Sequence, residues 1–214
     1  MLTIKNFKKQ VGVHITVNHN DKMEGMQSLS TSTLLNKFCQ SYAKCVDNIC
    51  HYCYAGKMLK RFTNLEKALA KNHKILTSRI LEDDEIPFLN CAFFRFEAFG
   101  DLSNDIQFIN YIKIANANPH CNFAIWTKNP FIMASVFHNG YEKPQNMIII
   151  LSSLKTNVQA DNTLFKFVDK VFTVYDKETI KEKNIDINCG GKKCATCLLC
   201  YKHNDVRIIN EEIK

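Results

Sequence analysis

The chain has 214 residues, a formal net charge of +7, 46% hydrophobic residues and 23% charged residues. This length suffices for one domain with a real core, and the composition is typical of a globular protein. No apolar run approaches the about 18 residues of a membrane span, and residues 1–10 lack the apolar core of a secretory signal. We therefore expect one cytoplasmic domain over residues 1–214, with no membrane partner.

Residues 11–17 alternate between apolar and polar side chains, which predicts an edge strand or hairpin. Residues 21–37 are rich in Ser and Thr without a clear period, and they are predicted to be a loop. Further on, Thr63 and Glu66 have the spacing of a capping box, so we predict a helix from there to about Arg79.

Four short apolar segments then predict buried parallel strands, at residues 92–96, 123–126, 147–151 and 170–174. Between them we predict a helix capped by Ser103, a helix capped by Asn129 with Pro130 in its first turn, and a final loop. Strand starts recur every 23 to 31 residues, close to the about 30 residues of a βαβ unit. The pattern predicts an α/β fold, a partial (β/α) barrel with a cysteine-rich C-terminal extension at residues 188–203.

Polar residues follow these strands, where parallel α/β folds place their chemistry. Glu97 and Asp101 flank Gly100 after the first strand and suit the binding of an amine or cation of a cofactor. Arg95 is predicted to pair with one of these carboxylates, because an unpaired buried charge is costly. The predicted substrate pocket consists of Arg95, Lys128, Asn129 and Ser152. The alternative is that strands simply end in polar residues, and no catalytic residue is identified.

Ten cysteines are present, and without an export signal they favour metal binding or catalysis over disulfides. Cys91 and Cys121 stand at strand starts and are expected to be buried, inert thiols. The other eight form an upstream group and a tail group. The upstream group is Cys39, Cys45, Cys50 and Cys53, and the tail group is Cys189, Cys194, Cys197 and Cys200.

The tail group resembles the CxxCxxC core of bacterial ferredoxins, which holds a 4Fe-4S cluster. A structural zinc site usually takes two cysteine pairs separated by a longer stretch, whereas these four cysteines are nearly continuous. The spacing therefore favours an iron–sulfur cluster, with zinc and free thiols as the alternatives.

The upstream spacing at Cys45, Cys50 and Cys53 resembles the radical S-adenosylmethionine signature, and Tyr52 before the last cysteine agrees with it. The first gap has four residues instead of the usual three. The resemblance implies one iron left open for the methionine end of S-adenosylmethionine, with Glu97 at its amino group. If Cys39 also binds, the chain holds two fully ligated clusters, which suit electron transfer or a structural role.

Four blocks of sequence resemble the phage gene product 88 family. They lie at residues 50–55, 94–102 and 126–129 and in the cysteine-rich tail. The resemblance implies a phage or mobile-element protein with a barrel-like α/β fold, and it supplies no settled activity.

These observations leave three functional hypotheses. The first is a radical-SAM-like redox enzyme with two 4Fe-4S clusters and a small-molecule substrate. The second is a non-catalytic iron–sulfur protein that serves a redox partner or a structural role. The third is a zinc-stabilised nucleic-acid-binding protein that uses the positive charges of Lys57, Lys60, Arg61, Lys192 and Lys193.

Overall fold

A computed structural model describes residues 12–19 and 21–213. The first two strands, β1 (Thr16–Val17) and β2 (Gln27–Leu29), pair antiparallel around a 3-10 helix at Asp21–Met23. The predicted hairpin is confirmed for its described part, while Val11 lies outside the described residues. The predicted loop over residues 21–37 is wrong, because β2 is a buried strand whose polar side chains hide its period.

Three helices follow β2, and short 3-10 helices flank them. They are α1 (Lys37–Ala43), α2 (Tyr54–Arg61) and α3 (Thr63–Ser78), with 3-10 helices at Ile49–Tyr52 and Asp83–Glu85. The predicted capping box at Thr63 is wrong. Phe62 occupies the cap position of α3, so Thr63 is already helical, and no side chain caps this helix.

The predicted strands and helices of the middle of the chain are confirmed. They are β3 (Phe93–Phe96), α4 (Asp105–Ala117), β4 (Asn122–Thr127), α5 (Pro130–His138), β5 (Met147–Ser152) and β6 (Lys170–Tyr175). One cap differs from the prediction. Asn104, and not Ser103, caps α4, because its side chain accepts the Gln107 backbone N–H.

The C-terminal part contains α6 (Lys177–Lys183), α7 (Cys194–Cys197) and a seventh strand, β7 (Ile208–Glu212). The sequence analysis missed β7, since only two of its five residues are apolar. This strand brings the chain back to the sheet after the tail cysteines.

The seven strands form one sheet in sequential order, from β1 to β7. Every pair from β2 to β7 is parallel, and β1 alone runs antiparallel to its neighbour. The sheet is open, with β1 and β7 at its two edges. The α/β class is therefore confirmed, with a mostly parallel sheet. Within the described residues, no helix has the length and apolar character that crossing a membrane requires.

The two faces of the sheet are covered by different parts of the chain. On one face, which we call the helix face, Phe96 stacks on Tyr111 of α4 with 4.2 Å between ring centroids. On the other, Ala124 and Ile150 pack with Tyr201 and Ile209 from the C-terminal part of the chain. We call this second surface the tail face, because the tail cysteine segment covers it.

Candidate functional site

The upstream cysteine segment lies across the carboxyl ends of the central strands. The Ile49 N–H donates to the carbonyl oxygen of Leu154 beyond β5, at 2.9 Å. The Tyr54 hydroxyl donates to the Ala98 carbonyl oxygen beyond β3, at 2.5 Å. We call this edge of the sheet the rim. The rim is where open parallel sheets usually bind ligands.

Three of the upstream thiols lie near one another at the rim. Burial raises the pKa of Cys39 well above its ordinary value, and Asp101, Glu97, Cys50 and Cys53 raise it further. Burial also raises the pKa of Cys50, whereas the nearby Lys128 ammonium lowers it. The structure therefore brings Cys39, Cys50 and Cys53 together beside Asp101.

Cys45 is placed differently from the other upstream cysteines. It is exposed, and its thiol faces the Ser41 carbonyl oxygen at 3.9 Å. The sequence signature included Cys45, but the buried thiol nearest to the pair Cys50 and Cys53 in the chain is Cys39. Cys39 is held in place by Asn36, whose side-chain oxygen accepts the Cys39 backbone N–H at 3.2 Å.

The Glu97 carboxylate is directed into the helix face and is only 2% exposed. Its φ of +54° ends the alternation of β3 and turns the side chain toward α4. There it accepts hydrogen bonds from the Gln107 side chain at 2.6 Å, from the Thr31 backbone N–H at 3.2 Å and from the Tyr111 hydroxyl. Burial raises the pKa of Glu97 to about 8, even though these donors lower it. Its predicted role at a cofactor's amino group stays a prediction.

Gly100 packs directly against this carboxylate. A Cβ atom at residue 100 would lie 2.0 Å from Glu97 Oε2 and 2.9 Å from the Thr31 carbonyl oxygen. Any larger residue there must displace the buried carboxylate or the backbone of the loop after β2. The residues flanking Gly100 are thus tied to one buried network.

Asp101 connects the rim loops after β3 and β4. Its carboxylate accepts hydrogen bonds from the Thr127 hydroxyl at 2.6 Å and from the Lys128 backbone N–H at 2.8 Å. Its backbone carbonyl oxygen accepts the Asn36 side-chain N–H at 2.7 Å. Burial raises the pKa of Asp101, and Lys128 lowers it. Asp101 and Lys128 therefore both lie near Cys50, and all three are residues of the predicted site.

Two further predicted pocket residues lie at the ends of neighbouring strands. Asn129 is half-buried, and its backbone N–H donates to the Thr127 hydroxyl at 2.9 Å. Ser152 is buried at the last position of β5. Their predicted contact with a substrate stays a prediction.

The tail cysteines lie on the tail face, where α7 contacts the 3-10 helix at Asp21–Met23. Burial, together with the neighbouring Cys189, Cys194 and Cys197, raises the pKa of Cys200 to about 12. Cys189, Cys194 and Cys200 are half-buried against the sheet, whereas Cys197 is exposed. Across residues 12–19 and 21–213, no three His, Cys, Asp or Glu side chains are grouped as ligands of a metal ion.

Arg95 lies on the tail face and not with the rim carboxylates. Its guanidinium stacks over Trp126 at 3.8 Å from the ring centroid, and Nη1 is 3.4 Å from the sulfur of Met23. The predicted pairing with Glu97 or Asp101 is wrong. The side chains of β3 alternate between the two faces of the sheet, which places Arg95 on the tail face. The positive φ of Glu97 turns its carboxylate to the helix face instead.

All ten cysteines are free thiols. Cys121 is buried and Cys91 half-buried, and their sulfurs are 3.8 Å apart. The prediction of a buried thiol is therefore confirmed for Cys121 and wrong for Cys91, and the inertness of both stays a prediction.

Several supporting residues were not predicted from the sequence. Thr31, Gln107 and Tyr111 hold Glu97, and Asn36 links Cys39 to Asp101. A polar residue at a core position of a helix is the signal that could have found Gln107. Asn36, three residues before Cys39, has the spacing of a helix cap.

Comparison with known proteins gives one family match. The model of the family described as Gene product 88 matches residues 8–210, nearly the whole chain. No curated protein and no solved structure matches the chain. The resemblance to radical S-adenosylmethionine proteins is not supported by these comparisons and depends on the cysteine spacing alone. The chain belongs to the phage gene product 88 family.

Proposed function

We propose that this chain is an iron–sulfur redox protein with two cluster sites, a rim site and a tail site. The proposal is supported by two sets of thiols that lie near enough to raise one another's pKa, Cys39 with Cys50 and Cys53 at the rim and Cys200 with the other three tail cysteines. Cysteine thiolates are the usual ligands of iron–sulfur clusters, so the donor chemistry of both places fits such a group.

For the rim site we infer that Cys39, Cys50 and Cys53 are the ligands. Cys39 lies near the other two thiols, whereas the Cys45 thiol is exposed and faces Ser41. Three ligands leave one iron open, and a cluster of this kind can pass an electron to a bound cofactor such as S-adenosylmethionine. The sequential order of the strands supports a radical-SAM-like partial barrel as the housing.

The rim residues of this chain would bind and orient a small-molecule substrate. Asp101 accepts the Lys128 backbone N–H, which fixes the loop so that the Lys128 ammonium lies near Cys50. A fixed ammonium there suits an anionic group such as a carboxylate. Glu97 holds the Thr31 loop from the other side and keeps β2 in register with β3.

Anaerobic reconstitution with iron and sulfide tests the proposal, with iron, sulfide and zinc counted per chain. We expect C50S/C53S and C194S/C197S each to lose roughly half of the bound iron, because each removes ligands of one cluster. Cys91→Ala is the matched control and should keep all of it. Zinc in place of iron, or iron binding that neither double variant changes, would contradict the proposal.

Two single variants separate the enzyme from the electron-transfer protein. With an open iron, Cys39→Ala should lose the rim cluster, and Cys45→Ala should retain it. If both variants lose it, the rim cluster has four protein ligands. That result would favour the non-catalytic iron–sulfur protein.

A zinc-stabilised nucleic-acid-binding protein is the second candidate. It is favoured by the exposure of Lys57, Lys60 and Arg61 in α2. The tail lysines are less free, since Lys193 pairs with Glu24 at 2.7 Å. A K57E/K60E variant that loses salt-dependent binding of single-stranded DNA would support this candidate, because phosphate contacts release counterions.

A further inference from the structure

Two cations of the sheet lie close to the tail thiols. Arg95 lies on β3 and Lys170 at the start of β6, on either side of the segment that carries Cys200. Arg95 lowers the pKa of Cys194 and of Cys200, against the larger effect of burial. Cys200 in turn raises the pKa of Lys170, which burial lowers. Trp126, on which Arg95 stacks, belongs to the same packed cluster as Cys194 and Cys200, and Lys170 binds Asn204 four residues beyond Cys200.

Protein side chains hold both cations in fixed positions. The Arg95 guanidinium stacks on Trp126, whose ring contacts Tyr201 next to Cys200, with 6.1 Å between ring centroids. The Lys170 ammonium donates to the Asn204 side-chain oxygen at 2.6 Å and to the Val206 carbonyl oxygen at 3.0 Å. Lys170 is only 2% exposed. Neither group can turn to solvent without breaking these contacts.

Neither cation has a carboxylate partner within 4.0 Å among the residues that the structure describes. Asp169, next to Lys170, pairs instead with Lys143 at 2.5 Å. The Nε atom of Arg95 is buried and has no hydrogen-bond partner. By contrast, Lys22 touches Cys189 but is already paired with Glu211 at 2.5 Å. Burying a charge without a counter-charge is costly, so the nearby tail thiolates are the negative charges expected to balance Arg95 and Lys170.

We propose that Arg95 and Lys170 are the charge partners of the tail cluster and set its reduction potential. This inference rests on the proposed iron–sulfur function. A cluster bound by four thiolates carries negative charge, and its reduction adds one more. Positive charges fixed nearby in a poorly solvated site stabilise the reduced form and raise the potential. Both residues are positioning residues, since they act through the cysteine ligands.

Potentiometric titration of the anaerobically reconstituted full-length chain, followed by electron paramagnetic resonance, tests the proposal. The C50S/C53S variant identifies the signal of the tail cluster. We expect Arg95→Met and Lys170→Met each to lower its potential by at least a tenfold change in the reduction equilibrium, about 59 mV for a one-electron couple. Arg95→Lys and Lys170→Arg keep the charge and should restore most of the shift. Lys193→Met is the control, because this exposed lysine is paired with Glu24.

The outcomes separate this inference from the proposed function. A wild-type chain that binds no iron contradicts the proposed function itself. A chain that binds both clusters, with unchanged potentials in the methionine variants, overturns only the role of Arg95 and Lys170. If the methionine variants lose the tail cluster while the charge-preserving variants keep it, the charge role is supported. If both kinds of variant lose it, the two residues act in packing, and the inference is wrong.

Discussion

The rim and the tail face present the same ligand chemistry with different charged groups around it. At the rim, Cys39 lies near the buried carboxyl groups of Asp101 and Glu97, which raise its pKa. On the tail face, Arg95 and Lys22 act on the thiols in the other direction and lower their pKa values against burial. Two sites of one fold can therefore stabilise different oxidation states of the same kind of group, because the charges around the ligands differ.

The supports of the two regions differ as well. The rim is held by a buried hydrogen-bond network that connects loops after β2, β3 and β4. The tail face is held by ring packing, in which Tyr201 contacts Phe93 and Trp126. A change in the rim network should consequently leave the tail site intact, and this separation can be tested.

The largest effect is expected from Gly100→Ala. Its Cβ would lie 2.0 Å from the Glu97 carboxylate, which three neighbouring residues hold in place. We expect a loss of about 3 kcal/mol in the free energy of unfolding, at the upper end for overpacking, and loss of the rim cluster with retention of the tail cluster. Denaturant titration and iron counting measure the two effects.

Gly190→Ala is the matched control for this substitution. Nothing lies within 4 Å of a Cβ at Gly190, on the tail side of the molecule. It should leave both the stability and the iron content unchanged. Equal damage from the two alanine variants would show that the packing against Glu97 is not what makes Gly100 necessary.

The next effect is a dependence of stability on pH that comes from Glu97. Burial raises its pKa from the ordinary 4.5 to about 8, so the folded chain binds this proton more tightly than the unfolded chain. The contribution of Glu97 to the free energy of unfolding is fully present below about pH 4.5. It falls as the pH rises from about 4.5 to about 8, and it levels off above about pH 8. Between these two pH values, the free energy of unfolding falls by up to about 1.4 kcal/mol per pH unit.

Glu97→Gln identifies the source of this slope. The variant cannot ionise at residue 97, so its free energy of unfolding should vary less between pH 5 and pH 8 than that of the wild type. Asp101, whose pKa is also raised by burial, is unchanged in both proteins and contributes to both curves. Parallel curves for the two proteins would assign the pH dependence to Asp101 or another group.

The sequence predicted the central strands better than the rim or the C-terminal part of the chain. Four strands were readable because their apolar runs are buried on both faces, and the tail thiols are close in the chain. The rim depends on contacts between distant residues, such as Thr31 with Glu97 and Asn36 with Asp101. A positive φ turns the Glu97 side chain away from Arg95, and the two-residue pattern of the strand does not indicate this φ. The cysteine spacing likewise favoured Cys45, because the spacing carries no information on which thiol is buried.

A difference of at least tenfold in the reduction equilibrium, about 1.4 kcal/mol, is expected between the two clusters. Asp101, near the rim thiols, opposes reduction of the proposed rim cluster, while the cations on the tail face favour that of the proposed tail cluster. The rim cluster should therefore have the more negative potential and be the stronger reductant. Potentiometry on C50S/C53S and on C194S/C197S measures each cluster alone. A rim potential equal to or above that of the tail would refute the electrostatic contrast between the two regions.

The smallest effect is expected at the exposed ion pair between Lys193 and Glu24, which links the tail to the loop before β2. Both side chains are about half exposed, so solvent and salt screen the pair. Lys193→Ala should change the free energy of unfolding by less than about 0.5 kcal/mol. This is the expected result if Tyr201 packing, and not surface charge, holds the tail on the sheet. A larger loss that disappears in high salt would instead assign the attachment of the tail to this ion pair.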